Sequence, residues 1–187
     1  LFGKESGHVQ VRVIDSSARL RFSSQLVQMH RDRKRVFVDQ LGWKLCAPGS
    51  WLEIDQFDTD YTVYLVVCAE GSDRHLASVR LNPTTRPHML DTIFADLCDG
   101  GPVTGPGVWE SSRFTIAPLD LRGTEVMRLS RYLALAHAEF ALLNGITRYT
   151  MIGEVHRVAT VVSMGWKVRP LCLPKECDGG RIQALDV

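Results

Sequence analysis

The residues best suited to chemistry are arginines, carboxylates and aromatic side chains at regular spacings. Arg33 and Phe37 stand four positions apart, so they share one face of a helix. The acidic stretch 53–58, Glu-Ile-Asp-Gln-Phe-Asp, contains three carboxylates within six residues. Residues 109–114, Trp-Glu-Ser-Ser-Arg-Phe, place a carboxylate three positions before a cation. These groups could bind a small charged substrate and move a proton. The alternative is an ion-pair network joining helix, loop and sheet, with the aromatic rings in the core.

Other kinds of site lack their motifs. The chain contains no Gly-x-Ser-x-Gly, no His-Glu-x-x-His and no dinucleotide-binding glycine fingerprint. The glycine-rich segment 99–107 lacks the Gly-Lys-Ser/Thr of a phosphate-binding loop. The acidic stretch lacks the central glycine and closing glutamate of a calcium loop. Cys172 and Cys177 lack a second pair for zinc, so we expect no metal and reduced cysteines.

Length and composition place limits on the class of protein. The 187 residues, 45% hydrophobic, predict a single domain over 1–187 that needs no covalent staple. No apolar run reaches the roughly 18 residues of a membrane span. The net charge of +1 favours neither nucleic acid nor a membrane surface. Charges throughout residues 1–21 speak against a signal peptide, so we expect a soluble cytoplasmic monomer.

Hydrophobic periodicity predicts the elements that must position the candidate residues. Helices are expected over 19–41, ended by Gly42, over 121–144, capped by Gly145, and over 155–164, closed by Gly165. A hairpin is expected from segments rich in β-branched residues at 61–69 and 75–81. Further strands are expected at 108–116, 146–152, 166–173 and 181–185, with a short apolar segment at 89–97. This order predicts an α/β fold with a mixed sheet and helices packed on it.

The combined pattern resembles the acyl-homoserine-lactone synthases, the bacterial autoinducer synthases. The shared residues are Arg33-x-x-x-Phe37, Leu41-Gly42-Trp43, Glu53-x-Asp55-x-Phe57-Asp58, Tyr64-Leu65, Val79-Arg80, Arg86-Pro87-x-Met89, Glu110-Ser111-Ser112-Arg113-Phe114 and Gly165-Trp166. They span roughly residues 20–170. The resemblance implies an N-acetyltransferase-like (GNAT-like) three-layer α-β-α sandwich. Its central sheet would be mixed, mostly antiparallel and splayed in the middle.

The resemblance also implies an acyltransferase reaction. The amine of S-adenosyl-L-methionine, a co-substrate rather than a tightly bound cofactor, would accept an acyl group from a thioester. The methionine carboxylate would then close onto its own γ-carbon, releasing methylthioadenosine and an N-acyl-L-homoserine lactone, a quorum-sensing signal. Acyl carrier protein is the expected donor and acyl-CoA the alternative, because segment 117–123 lacks a basic, glycine-rich turn for a pyrophosphate. The basic run 31–35 either docks the carrier protein or is a solvated helix face.

Each residue of the pattern then has an expected role. Glu110 is the candidate general base, acting through water, with Arg113 and Ser112 beside it in the catalytic group. The expected S-adenosylmethionine site comprises Arg33, Phe37, Trp43, Asp55, Asp58 and Arg80. The two aromatic rings would contact the adenine and the sulfonium, and the two aspartates would bind the ammonium group. Arg33 would hold the carboxylate of the co-substrate or lock the helix over it. Arg80 and Arg113 would serve as counter-ions of the aspartates. The expected acyl pocket comprises Met127, Leu133, Thr150, Met151 and Ile152, with Thr150 able to bond a 3-oxo group.

One geometric conflict produces a further prediction. Glu110 and Arg113 point to opposite faces of a regular strand, so a shared site requires a β-bulge between residues 109 and 114. The bulge would turn a backbone N–H toward the thioester oxygen. The opening between this strand and the strand at 146–152 would admit the acyl chain. The alternatives are another GNAT-type N-acyltransferase, using acyl-CoA on a different amine, and a ligand-binding paralogue without activity.

Overall fold

The computed structural model describes residues 8–45, 49–98, 100–117, 120–177 and 180–187. A mixed sheet runs through these ranges. Its strands, in spatial order, are β1 (Val9–Ile14), β2 (Val63–Ala69), β3 (His75–Pro83), β4 (Val108–Ile116), β5 (Arg148–Glu154), β8 (Gly180–Asp186) and β6 (Arg169–Pro170), with β7 (Lys175–Cys177) on β8. The helices are α1 (Ser23–Arg33), continued by a π-helix at Lys34–Gln40, then α2 (Gly123–Asn144) and α3 (Val158–Ser163).

The sheet lies between two helical layers because its central strands are apolar on both faces. In β2, Leu65 and Val67 pack in the core cluster that contains residues of α2. The alternate residues Tyr64 and Val66 pack in the cluster that contains Met29 of α1. A strand buried on both sides needs a cover on each face. The predicted three-layer α-β-α architecture is confirmed.

The sheet opens between β4 and β5. The pairs along β1 to β4 are antiparallel, whereas β4 and β5 are parallel and pair only from Val108↔Arg148 to Glu110↔Thr150. Beyond Thr150, β5 continues to pair with β8 as far as Glu154. The two central strands therefore separate after their third residue pair, which confirms the predicted splay in a mostly antiparallel sheet.

The predicted bulge is present in β4. Arg80 pairs with Ser112, but Ser78 pairs with Thr115, so β4 carries one extra residue opposite β3. Arg113 takes a φ of 56°, the left-handed region that side chains other than glycine rarely adopt. The extra residue reverses the alternation of the strand, so Arg113 lies on the same face as Glu110.

Several boundaries differ from the sequence predictions. The strand β1 lies in a segment for which we predicted no element, although Val-Gln-Val-Arg-Val-Ile alternates as a strand should. The first helix begins at Ser23 rather than residue 19 and ends in π-helical turns. The fifth strand is shifted to Arg148–Glu154.

The C-terminal strand predicted at 166–173 is wrong in length. Only Arg169–Pro170 forms a strand on β8, and one further backbone bond, from the Leu171 N–H to the carbonyl of Ala184 at 2.9 Å, follows it. The helix predicted at 155–164 begins as a 3₁₀ turn, Val155–Arg157, and the apolar segment 89–97 forms turns that end in a 3₁₀ helix, Ala95–Leu97. Gly145 has the left-handed conformation predicted for the cap of α2, with a φ of 64°.

Candidate functional site

Three arginines and three carboxylates form a cluster between α1, the acidic loop and strands β3 and β4. Its members are Arg33, Arg80, Arg113, Glu53, Asp55 and Asp58. The formal charges of these six residues cancel, so each charge of the cluster has a partner of opposite sign. We call this group the charged cluster.

Arg33 joins α1 to the acidic loop. Its Nε donates to Glu53 Oε2 at 2.5 Å, and its Nη1 and Nη2 donate to Asp58 Oδ1 and Oδ2 at 2.8 and 3.0 Å. Only 1% of its side chain is exposed. Although burial works against both charges, the hydrogen bonds between them raise the pKa of Arg33 and lower the pKa of Asp58. Arg33 thus holds α1 against the acidic loop in this structure, and all three of its side-chain nitrogens donate to carboxylates.

Asp55 receives the other two arginines. Arg80 Nη1 donates to its Oδ1 at 2.5 Å, and Arg113 Nη2 donates to its Oδ2 at 2.6 Å. Arg113 Nε also donates to Glu53 Oε1 at 3.1 Å. The side chain of Asp55 is 15% exposed, against 3% for Asp58 and none for Glu53. Asp55 is therefore the carboxylate of the cluster that an ammonium group can reach most readily.

An aromatic pair lies against the charged cluster. Phe37 stands in the π-helical turns, and the rings of Phe37 and Trp43 stack with centroids 5.0 Å apart. The backbone N–H of Trp43 donates to the carbonyl of Phe37 at 2.9 Å, which fixes the chain after the helix. The guanidinium carbon of Arg113 lies 5.5 Å from the Phe37 centroid. The structure thus brings the predicted aromatic and acidic residues together.

Glu110 occupies a neighbouring position with a different set of partners. Its Oε1 and Oε2 accept the backbone N–H groups of Met89 and Leu90 at 3.0 and 2.9 Å. Burial raises the pKa of its carboxyl above the ordinary value, and these two hydrogen bonds offset part of that effect. Each oxygen keeps a second lone pair, so the role of general base stays open while an anchoring role for the turn at 89–90 is plain.

Ser112 and Met89 connect the turn to the charged cluster. Arg80 Nε donates to Ser112 Oγ at 3.0 Å, and Arg80 Nη2 lies 3.4 Å from Met89 Sδ. Ser112 therefore holds a counter-ion in place. We did not predict roles for Glu53 or Tyr64, whose hydroxyl donates to Asp58 at 2.8 Å. Glu53 could have been found from its spacing of two residues from Asp55.

The predicted acyl-pocket residues do not all share one face. Leu133 is fully buried in the core between α2 and the sheet, and Met151 follows the alternation of Tyr149 toward the same side. Thr150 and Ile152 point to the opposite side, where Ile152 packs near Leu90. Met127 is half-buried on α2. Thr150 Oγ1 is buried and makes no hydrogen bond to any part of the chain that the structure describes.

The basic run 31–35 is not a uniform surface. Arg33 is buried, Lys34 pairs with Asp39 at 2.6 Å, and Arg35 pairs with Asp32. Arg31 is exposed. A carrier-docking surface made of the whole run is therefore wrong in part, because its central member belongs to the charged cluster. Segment 117–123, used to predict the donor, includes Pro118 and Leu119, which lie outside the described residues.

Further predictions concern metals, thiols and membranes. Within the described ranges, no group of three or more His, Cys, Asp or Glu side chains is arranged to hold a metal ion. Cys68, Cys172 and Cys177 carry free thiols, whereas Cys46 lies outside the described residues. Among the described helices, none has the length and apolar character needed to cross a bilayer.

Comparison with known proteins identifies the family. The profile of the family described as autoinducer synthase matches residues 17–176. The chain belongs to the autoinducer synthase family. An acyl-homoserine-lactone synthase from Pseudomonas chlororaphis is 35% identical over 136 residues, covering 70% of this chain and 68% of that protein. An isovaleryl-homoserine lactone synthase from Bradyrhizobium diazoefficiens is 31% identical over 165 residues, covering 88% and 73%. The predicted family and enzyme class of this autoinducer synthase are confirmed.

Some relatives are matched over less of their length. The acyl-homoserine-lactone synthase from Ralstonia solanacearum is 46% identical over 84 residues, which is 44% of this chain and 41% of that protein. The one from Pseudomonas fluorescens is 33% identical over 127 residues, 67% of this chain and 63% of its own length. The chain therefore spans less than two thirds of these relatives.

Solved structures agree with the family assignment. BjaI, a CoA-dependent acyl-homoserine lactone synthase with SAM and isopentyl-CoA, has a TM-score of 0.86 at 30% identity, covering 96% of this chain and 83% of BjaI. TofI, in a ternary complex with an inhibitor and MTA, has a TM-score of 0.79 at 26% identity, covering 95% and 90%. An acyl-CoA N-acyltransferase from Pseudomonas aeruginosa has a TM-score of 0.62 at 17% identity, covering 95% of this chain and 98% of that protein, which shows a similarity of fold alone. The predicted GNAT-like fold of this autoinducer synthase is confirmed.

Proposed function

We propose that this autoinducer synthase acylates the amine of S-adenosyl-L-methionine and closes the product to an N-acyl-L-homoserine lactone. The observation that carries the proposal is the charged cluster beside the Phe37–Trp43 stack, in which Asp55 keeps the most solvent access among the carboxylates. The sulfonium and adenine suit aromatic faces, and the ammonium suits a partly exposed carboxylate. BjaI with SAM and TofI with MTA support this choice of co-substrate.

The first step is attack of the amine nitrogen on the thioester carbon. The amine must be neutral, and an α-amine with a pKa of about 8 is already about one-tenth neutral at pH 7. We assign the remaining proton transfer to Glu110 through a water molecule, since its buried carboxylate has a raised pKa and spare lone pairs. Arg113 and Ser112 keep the adjacent charges and the strand in place.

The forming oxyanion needs a hydrogen-bond donor. The bulge at Arg113 interrupts the β4 ladder next to the opening between β4 and β5. We assign the oxyanion donor to a backbone N–H of this bulge, because a preorganised N–H costs no reorganisation during the reaction. Expulsion of the thiol then leaves the amide.

The second step needs no protein nucleophile. A carboxylate oxygen of the methionine part attacks its own γ-carbon, and the carbon–sulfur bond breaks with its electron pair left on sulfur. The products are the lactone and neutral methylthioadenosine. The task of the protein is to hold the carboxylate in line with that bond, which is a contribution of positioning. The Phe37–Trp43 pair and Asp55 supply that positioning from the two ends of the co-substrate.

We propose a phosphopantetheine thioester as the acyl donor, with acyl carrier protein as its carrier. Segment 117–123 contains one arginine and one glycine, which suits a single phosphate better than a pyrophosphate. Because BjaI is CoA-dependent, acyl-CoA is the alternative donor. We propose that the acyl chain enters between β4 and β5, near Leu133, Met151 and Met127, with Thr150 and Ile152 on the far side of the strand.

The experiment that tests this function follows methylthioadenosine by chromatography. Purified protein is incubated with S-adenosylmethionine and matched acyl-carrier-protein and acyl-CoA thioesters. We expect methylthioadenosine to appear only when a thioester is present, at a rate that identifies the donor. Consumption of thioester without methylthioadenosine would instead indicate an N-acyltransferase acting on a different amine.

A further inference from the structure

His137 is a buried titratable residue that the proposed mechanism does not use. It lies in the middle of α2, on the side that packs against the sheet. Its Nδ1 lies 2.7 Å from the carbonyl oxygen of Leu133, and its Nε2 lies 3.0 Å from Ser111 Oγ. The Tyr149 hydroxyl donates to the carbonyl oxygen of His137 at 3.0 Å. The ring and its backbone are thus held from three sides.

These contacts determine the tautomer of the ring. A carbonyl oxygen can only accept, so Nδ1 carries the hydrogen. Burial lowers the pKa of His137 to about 4, so the ring is neutral near pH 7. Nε2 is then an acceptor, and the Ser111 hydroxyl donates to it. Both ring nitrogens have a hydrogen-bond partner, so these bonds hold the imidazole in its position.

The ring lies beside the opening in the sheet. Glu110↔Thr150 is the last residue pair between β4 and β5, and Ser111 is the next residue of β4. Ser111 points to the α2 face, where its hydroxyl meets His137. On that face the side chains of Ser111, His137 and Tyr149 therefore border the opening. The rings of His137 and Tyr149 lie edge to face, with centroids 5.2 Å apart.

Trp166 links this border to a groove on the protein surface. Its ring meets those of His137 and Tyr149 edge-on, with centroids 6.3 and 6.4 Å away. The same residue lines a groove of about 410 Å³ between α2 and residues 163–166, together with Leu135, Ala138 and Met164. The walls are mainly apolar, which suits an acyl chain or the arm that carries it.

We propose that His137 is a specificity-determining residue that limits the acyl group to short chains. The inference rests on the proposed function and names its substrate class. A longer chain passing the opening on the α2 side must displace the imidazole. That movement would leave the Ser111 hydroxyl without its acceptor and would break the bond from Nδ1 to the Leu133 carbonyl. Each methylene beyond the ring should therefore lower kcat/KM about tenfold or more.

The test compares acyl-pantetheine thioesters that differ only in chain length. Butanoyl, hexanoyl, octanoyl and decanoyl pantetheines carry the arm that both candidate donors share. The wild type should use butanoyl or hexanoyl best. In His137→Ala the decanoyl-to-butanoyl ratio of kcat/KM should rise at least about tenfold, because the removed ring opens the passage. His137→Gln, which keeps a long side chain able to bond Ser111, should keep a ratio close to the wild type.

Two further measurements keep the inference separate from folding and from the proposed function. His137→Val leaves a smaller void than alanine and should show the same shift if the alanine variant is unstable. Calorimetry of the same thioesters without S-adenosylmethionine gives the chain preference even if no lactone forms. A wild-type preference for decanoyl, or an equal loss for all chain lengths in folded variants, would overturn the role of His137. Absence of lactone with a clear short-chain binding preference would count against the proposed function alone.

Discussion

At the scale of single residues, the site depends on buried charges, each of which would destabilise the fold if it had no partner of opposite sign. Arg33 is almost completely buried, and so are Glu53 and Asp58, which it contacts. Removing one member of such a group leaves the others buried without a partner, which is strongly destabilising. Asp55 differs because part of its carboxylate still faces solvent. The residues of the cluster should therefore separate into structural members and one binding member.

Replacement of Asp55 tests the binding member. Asp55→Asn should raise the Kd for S-adenosylmethionine about tenfold or more, since loss of a charge partner worth about 1.4 kcal/mol changes affinity by that factor. Asp60→Asn is the matched control, because the Asp60 side chain is fully exposed in the same loop. Calorimetry should show wild-type affinity for the control. Equal affinities for both variants would remove Asp55 from the binding site.

Replacement of Glu110 tests the proposed base. Glu110→Gln should keep measurable activity, because part of the substrate amine is neutral without help. The activity relative to wild type should increase as the pH rises toward 8, where the amine loses its own proton. The check is kcat/KM across this range. A rate equal to the reaction without enzyme at every pH would contradict the base role and leave Glu110 as the anchor of the turn at 89–90.

His137 should make stability depend on pH. Its pKa is about 4 in the folded state, against an ordinary value of about 6.5 when unfolded. Between these two pKa values the unfolded state binds a proton that the folded state does not. The contribution of His137 to the free energy of unfolding is therefore complete above the unfolded pKa and is lost as the pH falls toward the folded pKa. The free energy of unfolding should decrease by about 3 kcal/mol from this group. Urea titrations of wild type and His137→Gln should show a shallower pH dependence in the variant; identical curves would contradict the assignment.

At the scale of elements, the acidic loop depends on α1 through one side chain. Arg33→Met should lower the free energy of unfolding by about 3–5 kcal/mol, because Glu53 and Asp58 lose their partner inside the protein. Arg31→Met, on the exposed face of the same helix, should stay within about 0.5 kcal/mol of wild type. Urea denaturation measures both. Equal stabilities of the two variants would show that Arg33 does not lock the helix.

The strands and the long helix could be predicted from hydrophobic periodicity. Their irregularities, a bulge and a π-helix, could not be predicted from periodicity alone. The bulge in β4 was predictable because Glu110 and Arg113 cannot share a face of a regular strand. The π-helix at Lys34–Gln40 leaves no comparable signal, since apolar spacing near one helical turn fits either helix. The strand β1 does carry a signal in the sequence, because Gln10 and Arg12 alternate with valines.

At the scale of the whole molecule, the splayed sheet and the two helical layers bring distant segments to one place. The aromatic and charged residues of the co-substrate site were predictable from their types and from a family resemblance. Their exact partners were not, because the pairing of three arginines with three carboxylates depends on the relative height of α1, the loop and β4. The division of the acyl residues between two faces of β5 also depended on the register with β4.

Binding of the co-substrate should stabilise the whole fold. S-adenosylmethionine at about 100 times its Kd should add about 2.7 kcal/mol to the free energy of unfolding, because only the folded state brings α1, the loop and β4 together. Thermal denaturation with and without the compound measures the effect. We expect a clear rise in Tm for wild type and a smaller one for Asp55→Asn at the same concentration. No change for wild type would show that S-adenosylmethionine does not bind the folded protein, which would contradict the proposed site.

Mass spectrometry of the product formed from carbon-labelled S-adenosylmethionine tests the central claim most directly. The label is placed in the four methionine carbons from the carboxyl carbon to the γ-carbon, and the reaction contains one acyl thioester that supports turnover. We predict an N-acyl-homoserine lactone that carries the label, together with an equal amount of unlabelled methylthioadenosine. An acylated product that lacks the label, or a labelled amide that retains the adenosyl group, would contradict the account.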